Sequence, residues 1–92
     1  MKIAKSVTQD WVNKIEGLQY EVNSRRELMQ HMIESGVDFE STGYKRYQAE
    51  YLNFYKLLEE AKEEFANEYV YPETKGERVF WNLDFKKLEV TF

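Results

Sequence analysis

The feature that most constrains this chain is a run of large apolar residues at alternating spacings of three and four. The run consists of Tyr44, Tyr47, Tyr51, Phe54, Leu58, Ala61 and Phe65. This spacing puts all of them on one face of an α-helix and is typical of the seam between two packed helices. It predicts a helix over about 41–70, which Pro72 ends near Tyr71.

A similar periodicity predicts a first helix over about 8–35. Its apolar positions are Trp11, Ile15, Leu18, Val22, Met29 and Met32. Ser6 or Thr8 can cap its N-terminus, Ser6 with Gln9 as a capping box, and Gly36 suits the residue after its C-terminus. Because the connection between the two helices is short, we expect an antiparallel helical hairpin.

The last residues, ERVFWNLDFKKLEVTF, change to a period of two. The alternation on both sides of a short turn predicts a β-hairpin over about 77–92. Its apolar face, which we expect to cover the helices, consists of Val79, Trp81, Leu83, Leu88, Val90 and Phe92. The predicted fold is therefore α+β and forms one domain over 1–92.

A two-stranded ribbon also keeps an open edge of backbone donors and acceptors, which can accept an extended peptide by strand addition. Two interpretations stay open: a lid on the core, or a lid that also binds a partner. In the second, the exposed face of the first strand, with Phe80, Asn82 and Asp84, contacts that partner.

Composition narrows the functional class. The chain has 92 residues, 16% aromatic content, a net charge of −4 and no cysteine. The acidic balance argues against non-specific nucleic-acid binding, so we expect no nucleic-acid partner. The absence of cysteine excludes a thiolate nucleophile or a thiolate-bound zinc ion. Since the sequence shows no signal-peptide pattern and no membrane-spanning run, we expect a cytoplasmic protein without membrane contact.

Catalytic patterns are missing. His31 is the one histidine, no Glu-x-x-His motif accompanies the glutamates, and the four glycines are scattered. Glu59, Glu60, Glu63 and Glu64 are interpreted as a solvated face. The sequence therefore predicts a protein that is not an enzyme and has no metal or other cofactor.

Arg25 occupies a seam position, where an apolar residue is expected. Its stem can pack while its head group pairs with a glutamate of the second helix. Alternatively, it forms a basic spot for an acidic peptide or a phosphate, together with Arg26, Lys45 and Arg46.

Tyrosine at several seam positions also leaves two interpretations open. The residues concerned are Tyr44, Tyr47, Tyr51 and Tyr55. They can be core, or they can line a half-open groove for a partner, because each phenol must reach water or a hydrogen-bond partner. Uncovered outer helix faces make a symmetric dimer with a four-helix core a further expectation.

Three segments together carry a family resemblance: NSRREL, YKRYQAEYLNFYKLLEEAKEEFANEYVYP and WNLDFKKLEVTF. The chain resembles the small accessory proteins of radical-SAM enzymes that modify ribosomal peptides, namely the CXXX-repeat peptide-modification partners and the splicease partner proteins. The resemblance implies that the enzyme holds the iron–sulfur cluster, while the small protein binds the enzyme, the precursor peptide or both. No catalytic residue is implied, and the winged-helix order of precursor-recognition domains is missing here.

A competing hypothesis is a phage-type inhibitor of a host defence protein. Such a protein would occlude a surface, sequester a nucleotide or mimic nucleic acid. The mimicry would use the acidic row Glu59, Glu60, Glu63, Glu64 and Glu68, which Lys56 and Lys62 interrupt. A third hypothesis is a structural homo-oligomer.

Overall fold

The computed structural model describes residues 2–92. The elements are β1 (Ala4–Ser6), α1 (Gln9–Glu34), α2 (Thr42–Tyr69), β2 (Asn82–Asp84) and β3 (Glu89–Thr91). The α+β class and the helical hairpin are confirmed, and both helices lie within a residue of the predicted bounds. Neither helix in this part of the chain is long and apolar enough to cross a membrane.

Two compact units divide the chain. The sheet unit joins the N-terminal segment through Glu16 to Glu60–Phe92, and the helical unit is Gly17–Glu59. The first turns of α1 and the last turns of α2 belong to the sheet unit, while the remaining turns of both helices belong to the helical unit.

Local backbone chemistry explains the ends of α1. The Trp11 N–H donates to Oγ1 of Thr8 at 3.4 Å, so Thr8 is the cap. The alternative cap Ser6 is wrong, because Ser6 lies in β1. At the other end Gly36 has a φ of 82°, and the N–H groups of Gly36 and Val37 donate to the Ile33 and Met32 carbonyls. This is the Schellman arrangement.

The sheet differs from the predicted hairpin by one strand. It has three antiparallel strands in the order β1-β3-β2, with Lys5 and Leu83 both opposite Val90. The sequence pattern indicates strands over about 77–92 alone, so the strand at Ala4–Ser6 is not predicted. The reason is that β1 has only three residues and gains its stability from β3, at the other end of the sequence.

The hairpin is also shorter than predicted. β2 begins at Asn82 rather than near residue 77, and Val79 and Phe80 lie outside the strands with exposed side chains. The assignment of Val79 to the covered face is wrong. Trp81 keeps that role, because its ring lies 5.1 Å from that of Phe65.

The core lies mainly in the sheet unit. Its buried side chains are Val7, Val12, Ile15, Ala61, Phe65, Ala66, Val70 and Val90. Phe65 is fully buried and lies at its centre, with ring centroids of Trp11 and Tyr69 at 5.6 and 4.9 Å. The helical unit buries Val22, Tyr44 and Leu58.

Candidate binding surfaces

The hydrogen-bond pattern of the sheet shows which strand edge is open. Ile3 and Phe92 exchange two backbone bonds of 2.7 and 3.0 Å, and the Val7 N–H donates to the Leu88 carbonyl at 2.9 Å. In an antiparallel ladder the bonded pairs alternate, so the backbones of Leu88, Val90 and Phe92 face β1. The C-terminal strand β3 is therefore paired on both sides, and β1 and β2 are the edges.

The same alternation describes β2. Glu89 and Thr91 of β3 direct their backbone groups to Asp84 and Asn82, which are their partners in the register. Leu83, between these two residues, directs its N–H and C=O to the outer edge of the sheet. That outer edge presents one donor and one acceptor at the spacing of a strand.

Phe80 lies just before this edge and is fully exposed, at 101% of the reference area. Its neighbour Val79 is also exposed. A shallow depression of about 270 Å³ adjoins Phe80, and its other lining residues are Lys2, Trp81, Asn82, Thr91 and Phe92. Phe80 and Val79 together present apolar area beside an open strand edge, and a partner that covered them would remove this area from water.

Asp84 has a defined role in the turn. Its Oδ1 accepts the backbone N–H groups of Lys86 and Lys87, both at 2.9 Å. The hydrogen bond from Lys87 is the main reason why the pKa of the Asp84 carboxyl is lower than usual, and the bond from Lys86 acts in the same direction. Asp84 thus closes the loop between β2 and β3, while Asn82 is exposed on β2.

A groove separates β2 from the start of α1. It encloses about 690 Å³ and is lined by Gln9, Asn13 and Glu16 of the helix and by Asn82–Lys86 of the hairpin. The three helix residues share one face, because they are spaced by four and three. The sequence does not indicate them, since exposed polar residues at this spacing occur on most surface helices.

In the helical unit, Arg25 is held by acidic and aromatic neighbours. Its guanidinium contacts the carboxylate of Glu21, and its Nε lies 3.3 Å from Oε2 of Glu50. The same group lies 4.3 Å from the centre of the Phe54 ring. This is the packing interpretation of Arg25: the stem is covered, and the head group pairs with a glutamate of the second helix.

The other three members of the basic spot also have neighbours. Lys45 is 2.9 Å from Glu40 and Arg46 is 3.5 Å from Glu50. Arg26 lies over the Tyr51 ring and donates to its hydroxyl at 3.3 Å. Much of the positive charge expected at this spot is therefore offset by carboxylates within the helical unit.

The seam tyrosines become more exposed along α2. Tyr44 is buried against Phe39, with ring centroids 5.2 Å apart. Tyr47 and Tyr51 are half-buried, and Tyr55 is 43% exposed. A depression of about 280 Å³ lies beside Tyr51, lined also by Arg26, Met29, Gln30 and Ile33. Of the four tyrosines, Tyr44 is therefore core and Tyr55 is surface, while the seam itself is buried again at Leu58, Ala61 and Phe65.

The acidic residues of α2 that belong to the sheet unit have specific neighbours. The Arg78 guanidinium donates to both oxygens of Glu63 at 2.6 and 3.1 Å, and this carboxylate raises the pKa of Arg78. Lys14 lies 3.6 Å from Glu64, and the Trp11 indole donates to Glu68 at 2.7 Å. Within residues 2–92, no cluster of His, Asp or Glu is arranged to hold a metal ion, and His31 is exposed.

Comparison with protein-family models, with curated proteins and with solved structures finds no match to this chain.

Proposed function

We propose that the chain is a non-catalytic binding protein that assists a radical-SAM enzyme in maturing a ribosomally made peptide, by binding the enzyme, the precursor peptide or both. The sequence resemblance supplies the enzyme class. One structural observation carries the binding role, namely the fully exposed Phe80 next to the open edge of β2.

The physical argument concerns what these two features can bind. An edge strand offers backbone hydrogen bonds to any extended segment, and a nearby aromatic ring adds a large apolar contact. A phenylalanine side chain contributes about 1.5–3 kcal/mol when a partner fully covers it. The two features together are suited to a peptide or to a segment of a larger protein.

The test combines native mass spectrometry with a turnover assay. The protein is isolated gently from its own cells, and the assay follows modification of the co-captured precursor peptide by the co-captured radical-SAM enzyme. We expect a complex with one or both, and we expect Phe80→Asp to weaken it at least tenfold. Phe39→Asp is the matched control, because Phe39 is an exposed phenylalanine of the helical unit. Capture of a nuclease or a nucleotide instead would contradict the proposal.

Self-association is the second candidate, favoured by where the exposed apolar side chains lie. Tyr20, Leu28, Ile33, Phe39, Leu52, Tyr55 and Leu57 all belong to the helical unit. A second copy covering part of this surface would give the symmetric dimer that the sequence suggests. Sedimentation velocity distinguishes the cases: Leu52→Glu is expected to dissociate a dimer, while a monomeric wild type rules this candidate out.

Nucleic-acid mimicry receives less support. A phosphate mimic needs an unscreened row of carboxylates, whereas Arg78 and Lys14 lie against Glu63 and Glu64.

A further inference from the structure

The groove between β2 and α1 is the candidate site. It is open to solvent and has a volume of about 690 Å³ within the sheet unit. One wall is the hairpin segment Asn82–Lys86, and the other is the face of α1 that carries Gln9, Asn13 and Glu16.

The backbone of β2 restricts the shape of the occupant. Leu83 directs its N–H and C=O outward, because Asn82 and Asp84 make the bonds to β3. An extended chain about 4.8 Å away can satisfy both groups at once. A helix cannot, since its own backbone groups are already bonded internally. The occupant is therefore an extended peptide segment.

The helix wall adds amide side chains. Nε2 of Gln9 donates to Oδ1 of Asn13 at 2.8 Å. Each amide group carries two N–H donors and an acceptor oxygen, so this one bond leaves capacity for a peptide. An equivalent pair lies further along α1 in the helical unit, where Gln19 donates to Asn23 at 3.0 Å.

The charges of the groove favour one kind of peptide. Two carboxylates, Glu16 and Asp84, line it together with one ammonium group, Lys86. Both carboxylates are ionised at neutral pH, as aspartate and glutamate ordinarily are. A segment with lysine or arginine therefore complements the groove better than an acidic one.

We infer that this groove binds an extended, basic peptide segment, which adds a fourth strand to the sheet at β2 and contacts the amide face of α1. The inference rests on the proposed function, and it names the part of the molecule and the chemistry of the peptide.

The probe is a displayed library of random twelve-residue peptides, selected against the full chain. We expect the selected peptides to be rich in lysine, arginine and β-branched residues. In amide-resolved NMR, a selected peptide should shift the signals of Leu83 and of residues 9–16, and should slow hydrogen exchange of the Leu83 amide.

Two pairs of variants test the site. Asn13→Trp fills the groove and should weaken binding at least tenfold, while Asn23→Trp, in the equivalent pair, should leave binding within twofold. Glu16→Lys should weaken the binding of a basic peptide by a similar factor. Glu27→Lys, on the exposed surface of the helical unit, should leave that binding unchanged. Circular dichroism verifies that each variant is folded.

Three outcomes overturn the inference: no peptide is selected, the shifts fall in the helical unit, or Asn13→Trp binds as the wild type does. The proposed function fails separately. If the enzyme or precursor still binds to Asn13→Trp with unchanged affinity, the groove is not the binding site, while the proposed function stands. If selected peptides bind in the groove but neither the enzyme nor the precursor binds the protein, the proposed function fails, while the groove remains a peptide site.

Discussion

The two units of this protein distribute their apolar side chains in opposite ways. Among residues 2–92, the sheet unit contains eight of the eleven buried hydrophobic residues, and the helical unit contains seven of the nine large hydrophobic residues that are exposed. The difference is not one of composition, because both units are rich in aromatic residues. In the sheet unit the three strands cover the helix turns, whereas the helical unit has only turns of the two helices.

Local interactions therefore matter more in the helical unit. The Schellman arrangement at Gly36 ends α1, and the Tyr44 N–H donates to Oγ of Ser41 at 3.2 Å to begin α2. Between the helices, Arg25 joins Glu21 and Glu50. Caps contribute about 1 kcal/mol each and exposed ion pairs less, so these contacts stabilise the hairpin only modestly.

The largest expected difference between the units comes from removing one aromatic ring from each. Phe65→Ala leaves a cavity among Trp11, Tyr69 and Trp81, and should lower the free energy of unfolding by about 3–5 kcal/mol. Phe39→Ala should cost about 1 kcal/mol or less, because Phe39 is 55% exposed and its main ring contact is Tyr44. Urea denaturation followed by circular dichroism measures both. Equal losses would show that the core is not concentrated in the sheet unit.

Two glycine substitutions in the helical unit should change the stability by smaller amounts and in opposite directions. Gly36→Ala forces a Cβ into a backbone with φ of 82° and should cost about 1–2 kcal/mol. Gly17→Ala places a methyl group in open space inside α1, and should stabilise by about 0.5–1 kcal/mol. Thermal unfolding of the two variants gives the comparison. If both variants are stabilised, or both destabilised, the backbone conformation at these glycines does not decide the effect on stability.

The smallest expected effect is on the pH dependence of stability, through Asp84 in the turn of the sheet unit. Because folding lowers the pKa of Asp84, its carboxylate stabilises the fold above the unfolded pKa of about 4, and this stabilisation is lost as pH falls through the folded value. Asp84→Asn keeps an acceptor oxygen but cannot titrate. We therefore expect the Tm of the wild type to fall more steeply than that of the variant between neutral and strongly acidic pH. Parallel curves would mean that Asp84 does not contribute to acid sensitivity.

The sequence predicts what is local or periodic. The seam over residues 44–65 and the period of three and four in α1 predict both helices, while Gly36 and Pro72 predict their ends. Each of these depends on neighbours within a few residues, so the local chain carries the information.

The missed features depend on distant parts of the chain. β1 has no alternating apolar pattern and exists because β3 pairs with it. Leu88 adopts a φ of 52°, which is uncommon for a residue other than glycine and follows from the geometry of the closed turn. The groove residues Gln9 and Asn13 become a candidate site only when β2 lies beside them. Of the site residues predicted from sequence, Phe80 keeps an exposed position for a partner, whereas Asp84 and Arg25 have partners within their own units.

The pairing of β1 with β3 also has a consequence for the order of folding. Ile3 and Phe92 are bonded to each other, with both helices between them in the chain. Forming this pair closes a loop of nearly the whole sequence, and contacts of such high sequence separation form slowly. The helical hairpin needs only a short loop to close. The part of the molecule with the smaller core is thus expected to form first, and the part with the larger core completes the native state.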